Sequence, residues 1–361
     1  MRVLNLIRIA LVTPPITGHL HRGTGTYFNS LLKYLSRDPR IKVIPATLHD
    51  QLAGFDLIHF PYFDPFFLTM PLLGVFRKIP QLVTVHDLIP LKYPKDFPSG
   101  LLGKLKWNIQ KNSLQKADSI LTDSQSSKKD IVKIAGINED KIHIIHLGAD
   151  PVFKYIKDNV RLQKTREKFK LPDKFIMYVG DVNYNKNIPG LLDAFSALSV
   201  KFSDYKLVLI GRGFIDPSPL LDYVLRLVKE KNLNEKIIRL AGLAREELVD
   251  IYNLATVLVI PSYDEGFGLP ILEAFACRTP VVAGNKGSLP EIAGNAALLA
   301  DPLNHASIAQ SIQLLLTDQE LRTDLVNKGI EFVKKFTWAK TADKTADLYL
   351  KTLGFKDYQL R

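Results

Sequence analysis

The sequence predicts an α/β protein of two doubly wound lobes, each built on a parallel sheet, facing each other across a cleft. Three observations predict it. The 361 residues exceed one ordinary domain and fit two of about 150–200. Short β-branched runs alternate with amphipathic stretches of helical period along the chain. The apolar runs are continuous rather than alternating, as in strands covered on both faces.

In order, the first strands are expected at Ile7–Thr13, Ile41–Thr47, Leu57–Phe60, Leu82–Val85, Ser119–Thr122 and Ile142–His146. A polar, basic stretch at 154–173 follows, and the pattern then restarts. The second series is Phe175–Val179, Lys206–Ile210, Lys236–Leu240, Thr256–Ile260, Pro280–Ala283 and Ala297–Leu299. Helical periodicity lies between, at Leu101–Lys116, Ile188–Lys201, Pro219–Lys231, Arg245–Asn253 and Ile271–Cys277. Repeated strand–helix–strand order implies parallel sheets with right-handed crossovers. The expected domains are 1–165 and 166–337, with a C-terminal helix at about 338–361 returning to the first. In such folds ligands bind beyond the carboxyl ends of the strands, so chemistry is sought in the residues that follow each strand.

Composition narrows the class. With 46% hydrophobic and 24% charged residues, the chain can bury a core in each half, which excludes disorder. Cys277 is the one cysteine, so no internal disulfide and no cysteine-held zinc exist, and a reducing, cytoplasmic location is expected. The N-terminal run MRVLNLIRIALVTPP is broken by Arg8 and closed by two prolines, and reads as a buried first strand rather than an export signal. The apolar stretch Pro65–Phe76 has 12 residues, short of the roughly 20 that span a bilayer. The net charge of +11 is uneven: residues 1–170 carry 26 Lys and Arg against 14 Asp and Glu, whereas residues 171–361 carry 22 against 23. The first half therefore calls for an anionic partner: a membrane surface, a nucleic acid or an acidic substrate.

The strongest local signal follows the strand ending at Ile260: Pro261-Ser262-Tyr263-Asp264-Glu265-Gly266-Phe267-Gly268-Leu269-Pro270, then a helix expected to carry Glu273 in its first turn. Pro270 suits a helix start, and the free N–H groups there suit a diphosphate. Glu265 and Glu273 stand eight residues apart across a loop–helix junction, so they suit separate roles better than the close carboxylate pair of a retaining glycosidase. After Phe175–Val179 comes Gly180-Asp181-Val182-Asn183-Tyr184-Asn185-Lys186-Asn187, where Lys186 either meets a phosphate or is a solvated surface lysine. After Leu82–Val85 comes His86-Asp87, a polar contact, a general base or a satisfied buried histidine. A glycine-rich loop from Gly18 ends in Gly23-Thr24-Gly25 before a helix, as a backbone-donor site or a plain turn. No Gly-x-Gly-x-x-Gly fingerprint, Walker lysine or Asp-x-Asp pair occurs, which argues against nicotinamide binding and an aspartate-held divalent ion. Neither His19 with His21 nor His143 with His146 forms a ligand set. Aromatics are not interleaved with basic residues as in an RNA-binding module.

These segments resemble the GT-B-fold retaining glycosyltransferases of family 4, in particular the mannosyltransferase-like group 1. The most specific part is Pro261–Val282, whose Glu265 and Glu273 form a Glu-x7-Glu pattern. Supporting matches are Val85-His86-Asp87-Leu88-Ile89-Pro90, Thr122-Asp123-Ser124, Gly180–Asn187 and Gly287-Ser288-Leu289-Pro290-Glu291. The resemblance implies two Rossmann-like lobes and a nucleotide sugar held mainly by the second. Gly180, Lys186 and the backbone at Gly266, Phe267, Gly268 and Leu269 would line the diphosphate site, Glu273 would bind ribose hydroxyls, and Glu265 would sit by the donor sugar. His86 would lie near the reacting sugar from the other lobe, and Gly23 and Gly25 would close over the donor. No metal or other cofactor is expected. Two departures stand out: relatives often place arginine where this chain has Asp181, so either another cation such as Arg212 completes the diphosphate site or donor binding is weaker, and the usual glycine after the Glu-x7-Glu helix is Arg278.

The resemblance implies transfer of a hexose, expected to be mannose from GDP-mannose with a UDP-sugar as the alternative, onto a glycan or lipid-linked acceptor in surface polysaccharide or glycolipid synthesis. A nucleotide-sugar epimerase, a phosphorylase and a non-enzymatic two-lobed solute-binding protein are the competing readings. Nucleic acid drops out as a partner. Leu101–Lys116, with Lys104, Lys106, Lys111 and Lys116 beside Leu101, Leu102, Leu105 and Trp107, adjoins the aromatic stretch Tyr62–Lys78. This pair is read either as a peripheral contact for an anionic membrane or as a core-facing helix with a solvated lysine face.

Overall fold

A computed structural model describes residues 6–14, 23–48, 50, 52–70 and 78–355. The chain forms two compact units. The first takes residues 1–148 and 336–361, and the second takes the continuous run 149–335.

The first unit holds strands β1 (Ile7–Val12), β2 (Ile41–Ala46), β3 (Leu57–Phe60), β4 (Gln81–Thr84), β5 (Ser119–Thr122) and β6 (Ile142–Ile144), all parallel, in the order β2-β1-β3-β4-β5-β6. Every residue of β3 and β5 is buried, which explains their continuous rather than alternating apolar runs. Its helices are α1 (Gly23–Leu35), α2 (Ile89–Lys92), α3 (Gly100–Lys116) and α4 (Gln125–Asp130). The second unit adds α5 (Asn159–Lys168), β7 (Phe175–Val179), α6 (Ile188–Lys201), β8 (Lys206–Ile210), α7 (Pro219–Glu230), β9 (Ile237–Leu240), α8 (Arg245–Leu254), β10 (Val257–Ile260), α9 (Leu269–Cys277), β11 (Val281–Gly284), α10 (Leu289–Ala293), β12 (Leu298–Ala300), α11 (His305–Thr317) and α12 (Gln319–Val333). Its sheet runs β12-β11-β10-β7-β8-β9, again parallel. Helix α13 (Trp338–Thr352) belongs to the first unit.

Helix starts follow the capping rule. Ser124, Asp158, Asn187, Ser218, Asn304, Asp318 and Thr337 each accept an N–H from the first turn of the helix they precede. Such a cap stabilises a helix by about 1 kcal/mol.

Two expectations change. The first unit ends at Gly148, not at residue 165. The polar run after it joins the second unit because Arg161 pairs with buried Asp250 at 2.7 Å and Thr165 donates to the same carboxylate at 2.8 Å. The Ile156 N–H likewise reaches Asn253 at 2.8 Å. The glycines expected to end a loop, Gly23 and Gly25, instead form the first turn of α1, while residues 15–22 of that loop lie outside the described residues. Helix α13 ends at Thr352, and 356–361 also lie outside them. The helix is tied to its unit by Arg40 to Asp347 at 2.6 Å, Thr341 Oγ1 to the His146 carbonyl at 2.8 Å, and Ser119 with Thr352 at 2.8 Å.

Candidate active site

In the second sheet, β7 and β10 are neighbours, and the chain leaves them in opposite directions: β7 to β8 and β9, β10 to β11 and β12. A parallel sheet opens a crevice at such a switch point, beyond the carboxyl ends of its two central strands. The loops there are 180–187 and 261–268, the two segments singled out in the sequence.

The structure brings these loops together through asparagines that the sequence reading passed over. The Asn185 amide donates to the Asp264 carbonyl at 2.9 Å, and the Tyr263 N–H returns to the Asn185 carbonyl at 2.8 Å. Asn187 is fully buried with φ of 53°. Its amide donates to the carbonyls of Pro261 and Pro302 at 3.0 and 2.7 Å, and its oxygen caps α6 by accepting the Gly190 N–H at 3.1 Å. Asparagine tolerates the left-handed conformation better than other branched or long side chains. A capping signal before Ile188-Pro189 was legible; the two long-range carbonyl partners were not.

Lys186, on the short turn Tyr184–Lys186, is thereby aimed at Glu265. Its ammonium contacts both carboxylate oxygens at 2.7 and 2.8 Å. The Ser262 hydroxyl donates to the same carboxylate at 2.7 Å. Ser288 holds the loop from the far side, donating to the carbonyls of Glu265 and Phe267 at 2.9 and 2.7 Å. Gly287 must be glycine here: its φ is 61°, and a Cβ would stand 2.5 Å from the Asp264 carboxylate and 2.9 Å from the Glu265 nitrogen. Gly266 and Phe267 are buried; Gly268 takes the N-cap position of α9 with φ of 112°, so Leu269 is the first helical residue and Pro270 falls in the first turn.

Glu273 does not share that cluster. Because α9 starts at Leu269, Glu273 lies in the second turn, correcting the expected first-turn position. It accepts a 2.7 Å hydrogen bond from Tyr252. Burial pushes its carboxyl up to about 7, against the opposing effects of the Tyr252 hydrogen bond and Arg245. A carboxyl that keeps its proton closer to neutral pH than usual donates as well as accepts. Gly180 packs at the end of β7 against Gly211 at the end of β8, where a Cβ on Gly211 would meet the Gly180 carbonyl at 1.9 Å. Asp181 turns onto its own backbone, accepting the Val182 N–H at 2.9 Å. Arg212 is exposed at the adjacent strand end, after β8.

In the first unit, His86 follows β4 and Asp123 follows β5, strands paired side by side. Their Nδ1 and Oδ2 atoms are 2.5 Å apart, and Asp123 is buried. Burial opposes a charge on the ring, but the Asp123 charge and hydrogen bond, with Asp87, outweigh it and raise the His86 pKa. Tyr27 of α1 meets the His86 ring edge-on at 4.7 Å, two residues after Gly25. Behind them runs a buried chain: Tyr27 and His59 both contact the Thr84 hydroxyl at 3.1 and 2.8 Å, and His59 Nδ1 meets Tyr349 of α13 at 2.7 Å. Burial drives His59 down to about 3, so it is neutral and structural. The sequence shows Asp123 only within Thr122-Asp123-Ser124; its pairing with His86 follows from the register of β4 and β5. Among the described residues, no three His, Cys, Asp or Glu side chains converge as a metal-holding group.

Comparison with known proteins shows what the chain resembles. The family model Glycosyltransferase Family 4 matches residues 7–153, and Glycosyl transferases group 1 matches residues 160–332. The O-antigen chain mannosyltransferase B of Escherichia coli is 31% identical over 327 residues, covering 88% of this chain and 82% of that protein. A D-inositol 3-phosphate glycosyltransferase of Corynebacterium efficiens is 30% identical, covering 82% of this chain and 71% of that one. Among solved structures, Anabaena HepE in complex with UDP-glucose superposes with a TM-score of 0.76 at 15% identity, covering 95% of this chain and 99% of its own. A glycosyltransferase of Rickettsia africae does so with a TM-score of 0.73 at 19% identity, covering 98% and 100%.

Proposed function

Because the chain belongs to the GT-B glycosyltransferases of family 4, group 1, we propose that it is a retaining, metal-independent hexosyltransferase that uses GDP-mannose and a glycan or lipid-linked acceptor. The observation that carries the site assignment is the Lys186–Glu265–Ser262 cluster at the switch point of the second sheet. The ammonium has three N–H donors, and Glu265 occupies two, so one is left for a phosphate oxygen. The Leu269 N–H at the start of α9 adds a second anion contact, since Pro270 has no N–H and the Ile271 N–H already donates to the Gly268 carbonyl at 3.0 Å. Arg212 supplies the charge that Asp181 does not. Glu273 takes the ribose hydroxyls, and His86, held by Asp123, makes a polar contact with the reacting sugar. The first turn of α1, with Gly23 and Gly25, would offer its N–H groups to the donor.

In the proposed reaction the bond from the anomeric carbon to the phosphate oxygen breaks, and the acceptor oxygen bonds to that carbon on the same face. The acceptor hydroxyl proton passes to the departing phosphate. Lys186 and the start of α9 stabilise the charge that develops there, which is the largest contribution expected of such a site. Mannose rests on the similarity to the O-antigen mannosyltransferase and to the serotype-specific mannosyltransferase WbdA of Escherichia coli, 31% identical over 71% of this chain but spanning only 32% of that protein.

A panel of nucleotide sugars read by thermal shift tests the donor. GDP-mannose is expected to raise the midpoint because it binds only the folded chain. A shift with UDP-sugars alone would replace the donor. Nucleotide release that vanishes with EDTA would overturn metal independence.

A further inference from the structure

A cleft in the second unit lies at the end of the sheet away from the loops 180–187 and 261–268. Thr256 leads into β10 and Pro280 into β11, so the cleft opens at the amino ends of these strands. Helix α12 borders it with Gln319, Arg322, Thr323 and Val326, and Arg278, the residue after α9, joins them. The α12 residues are spaced i, i+3, i+4 and i+7, which puts them on one helix face. Glu320 and Asp324 of the same helix fall outside that face, and Asp324 is paired with Lys328 at 2.5 Å. The cleft measures about 400 Å³, the size of a small-molecule site, and no Asp or Glu lines it.

Two guanidinium groups reach this cleft without a carboxylate. Among the described residues, the Arg278 side chain has no hydrogen bond or ion pair, and its guanidinium lies over the Tyr155 ring at 4.3 Å. Stacking of this kind fixes the plane of the group and leaves its N–H edge for other partners. Arg322 donates only to neutral oxygens, the Gln319 side chain and the Leu315 carbonyl, the latter at 3.5 Å. Arginine is also a costly choice at position 278. Its φ of 63° is a left-handed value that glycine adopts freely and a Cβ opposes. The Tyr155 contact is worth about as much as that strain, so folding alone gives little reason for arginine there.

We propose that this cleft is a second anion site, which uses Arg278 and Arg322 to bind a phosphoryl group, carried by a small ester or as free phosphate. Two arginine forks offer more donors than the two oxygens of a carboxylate can use, whereas a phosphoryl group presents three oxygens. Thr256 adds a hydroxyl, and Pro280 and Val326 offer an apolar side to an organic part. The site stands apart from the donor loops. β10 runs from beside Thr256 to the loop 261–268, and α9 returns from that loop to Arg278, so the two sites lie at opposite ends of one strand–helix unit.

The test is calorimetric titration of the full chain carrying Lys186→Ala, which removes the phosphate contact proposed for the donor loops. Mannose 6-phosphate, inorganic phosphate and mannose are the probes, at constant ionic strength. The Lys186→Ala chain is expected to bind both phosphates and not mannose. Adding Arg278→Gly is expected to weaken phosphate binding by about 10-fold, and adding Arg322→Gln by about 10-fold again, as for hydrogen bonds to a charged group. Tighter binding of mannose 6-phosphate would assign the site to an ester, and equal binding of the two phosphates to the free ion; either supports a phosphoryl site. An unchanged thermal midpoint without ligand in the Arg278→Gly chain reports an intact fold. Phosphate affinity unaltered by both arginine substitutions, no phosphate binding by the Lys186→Ala chain, or mannose binding as tightly as its phosphate would each overturn the proposal.

Discussion

Each sheet ends in a pair of opposite charge, but the two pairs are built differently. His86 and Asp123 follow adjacent strands by one residue or two, and the aspartate side chain is 3% exposed. Lys186 and Glu265 stand 79 residues apart at the tips of longer loops, with side chains 21% and 13% exposed. The first pair is fixed by the sheet itself. The second is fixed by amides and hydroxyls that reach backbone carbonyls: Asn185, Asn187 and Ser288. A pair held by the sheet sets the state of one ring. On the function proposed above, a pair held by loops exchanges a partner for an incoming phosphate.

The sharpest way to break this contrast is at the carboxylate. Glu265→Gln is expected to lower kcat by about 10²–10³-fold with little change in donor affinity, as for loss of one group that acts on developing charge. Lys186→Ala is expected to weaken donor affinity by about 10–100-fold and to slow turnover as well, since a hydrogen bond to a charged group contributes about 1.5–3 kcal/mol. Equilibrium binding and steady-state rates, measured side by side, separate them. Equal loss of affinity alone in both variants would merge the roles assigned here.

Loop anchoring comes next. Asn187→Ala leaves the Pro261 and Pro302 carbonyls unpaired in a buried place and forces alanine into a left-handed conformation. A loss of about 2–4 kcal/mol is expected from urea unfolding. A loss below 1 kcal/mol would show that the loops hold without it.

The two units also differ from each other in what titrates, though both effects run the same way with pH. Glu273 rises from 4.5 to about 7 on folding, so the folded chain holds this proton more firmly, and stability falls as pH climbs between those values. Glu273→Gln is expected to be more stable than the wild type at pH 8 by on the order of 2–3 kcal/mol. His86 is also raised, so its pairing with Asp123 stabilises fully below the ordinary histidine pKa and is lost as pH rises through the folded value. Asp123→Asn should flatten that part of the stability profile, and NMR titration of the His86 ring should show the proton leaving at lower pH. An unchanged ring titration would remove Asp123 as its partner.

The smallest effect is expected at Arg278. It ends α9 with φ of 63° and stacks over Tyr155 at 4.3 Å. Arg278→Gly relieves about 1 kcal/mol of backbone strain and forfeits about 0.5–1 kcal/mol of cation–π contact. Thermal unfolding should therefore change by less than about 0.5 kcal/mol.

Much of this was legible in the residues. All twelve strands among the described residues fall on the expected apolar runs, within two residues at their ends, because a buried parallel strand needs a continuous β-branched stretch. Lys186 and Glu265 were found for the same reason: both follow such a run. The boundary at Gly148 was not legible, because Arg161 and Thr165 look like a solvated linker until Asp250 is placed beside them. Nor was the outward turn of Leu101, Leu102 and Leu105 on α3, which are 86%, 73% and 57% exposed, since an amphipathic pattern says which residues share a face but not whether that face meets a core. Residues 71–77 of the aromatic stretch beside them lie outside the described residues. The partners Asn187, Ser288 and Tyr252 act across long stretches of sequence, where local pattern carries no signal.

The return of α13 to the first unit has a consequence for how the chain is made. Residues 149–335 are contiguous, so they leave the ribosome as a complete folding unit. The first unit is begun before residues 149–335 and completed after them, because Tyr349, the partner of buried His59, and Asp347, the partner of Arg40, are synthesised later. Until then the start of the chain waits with an unfinished core, exposed to off-pathway association in a way the middle of the chain is not.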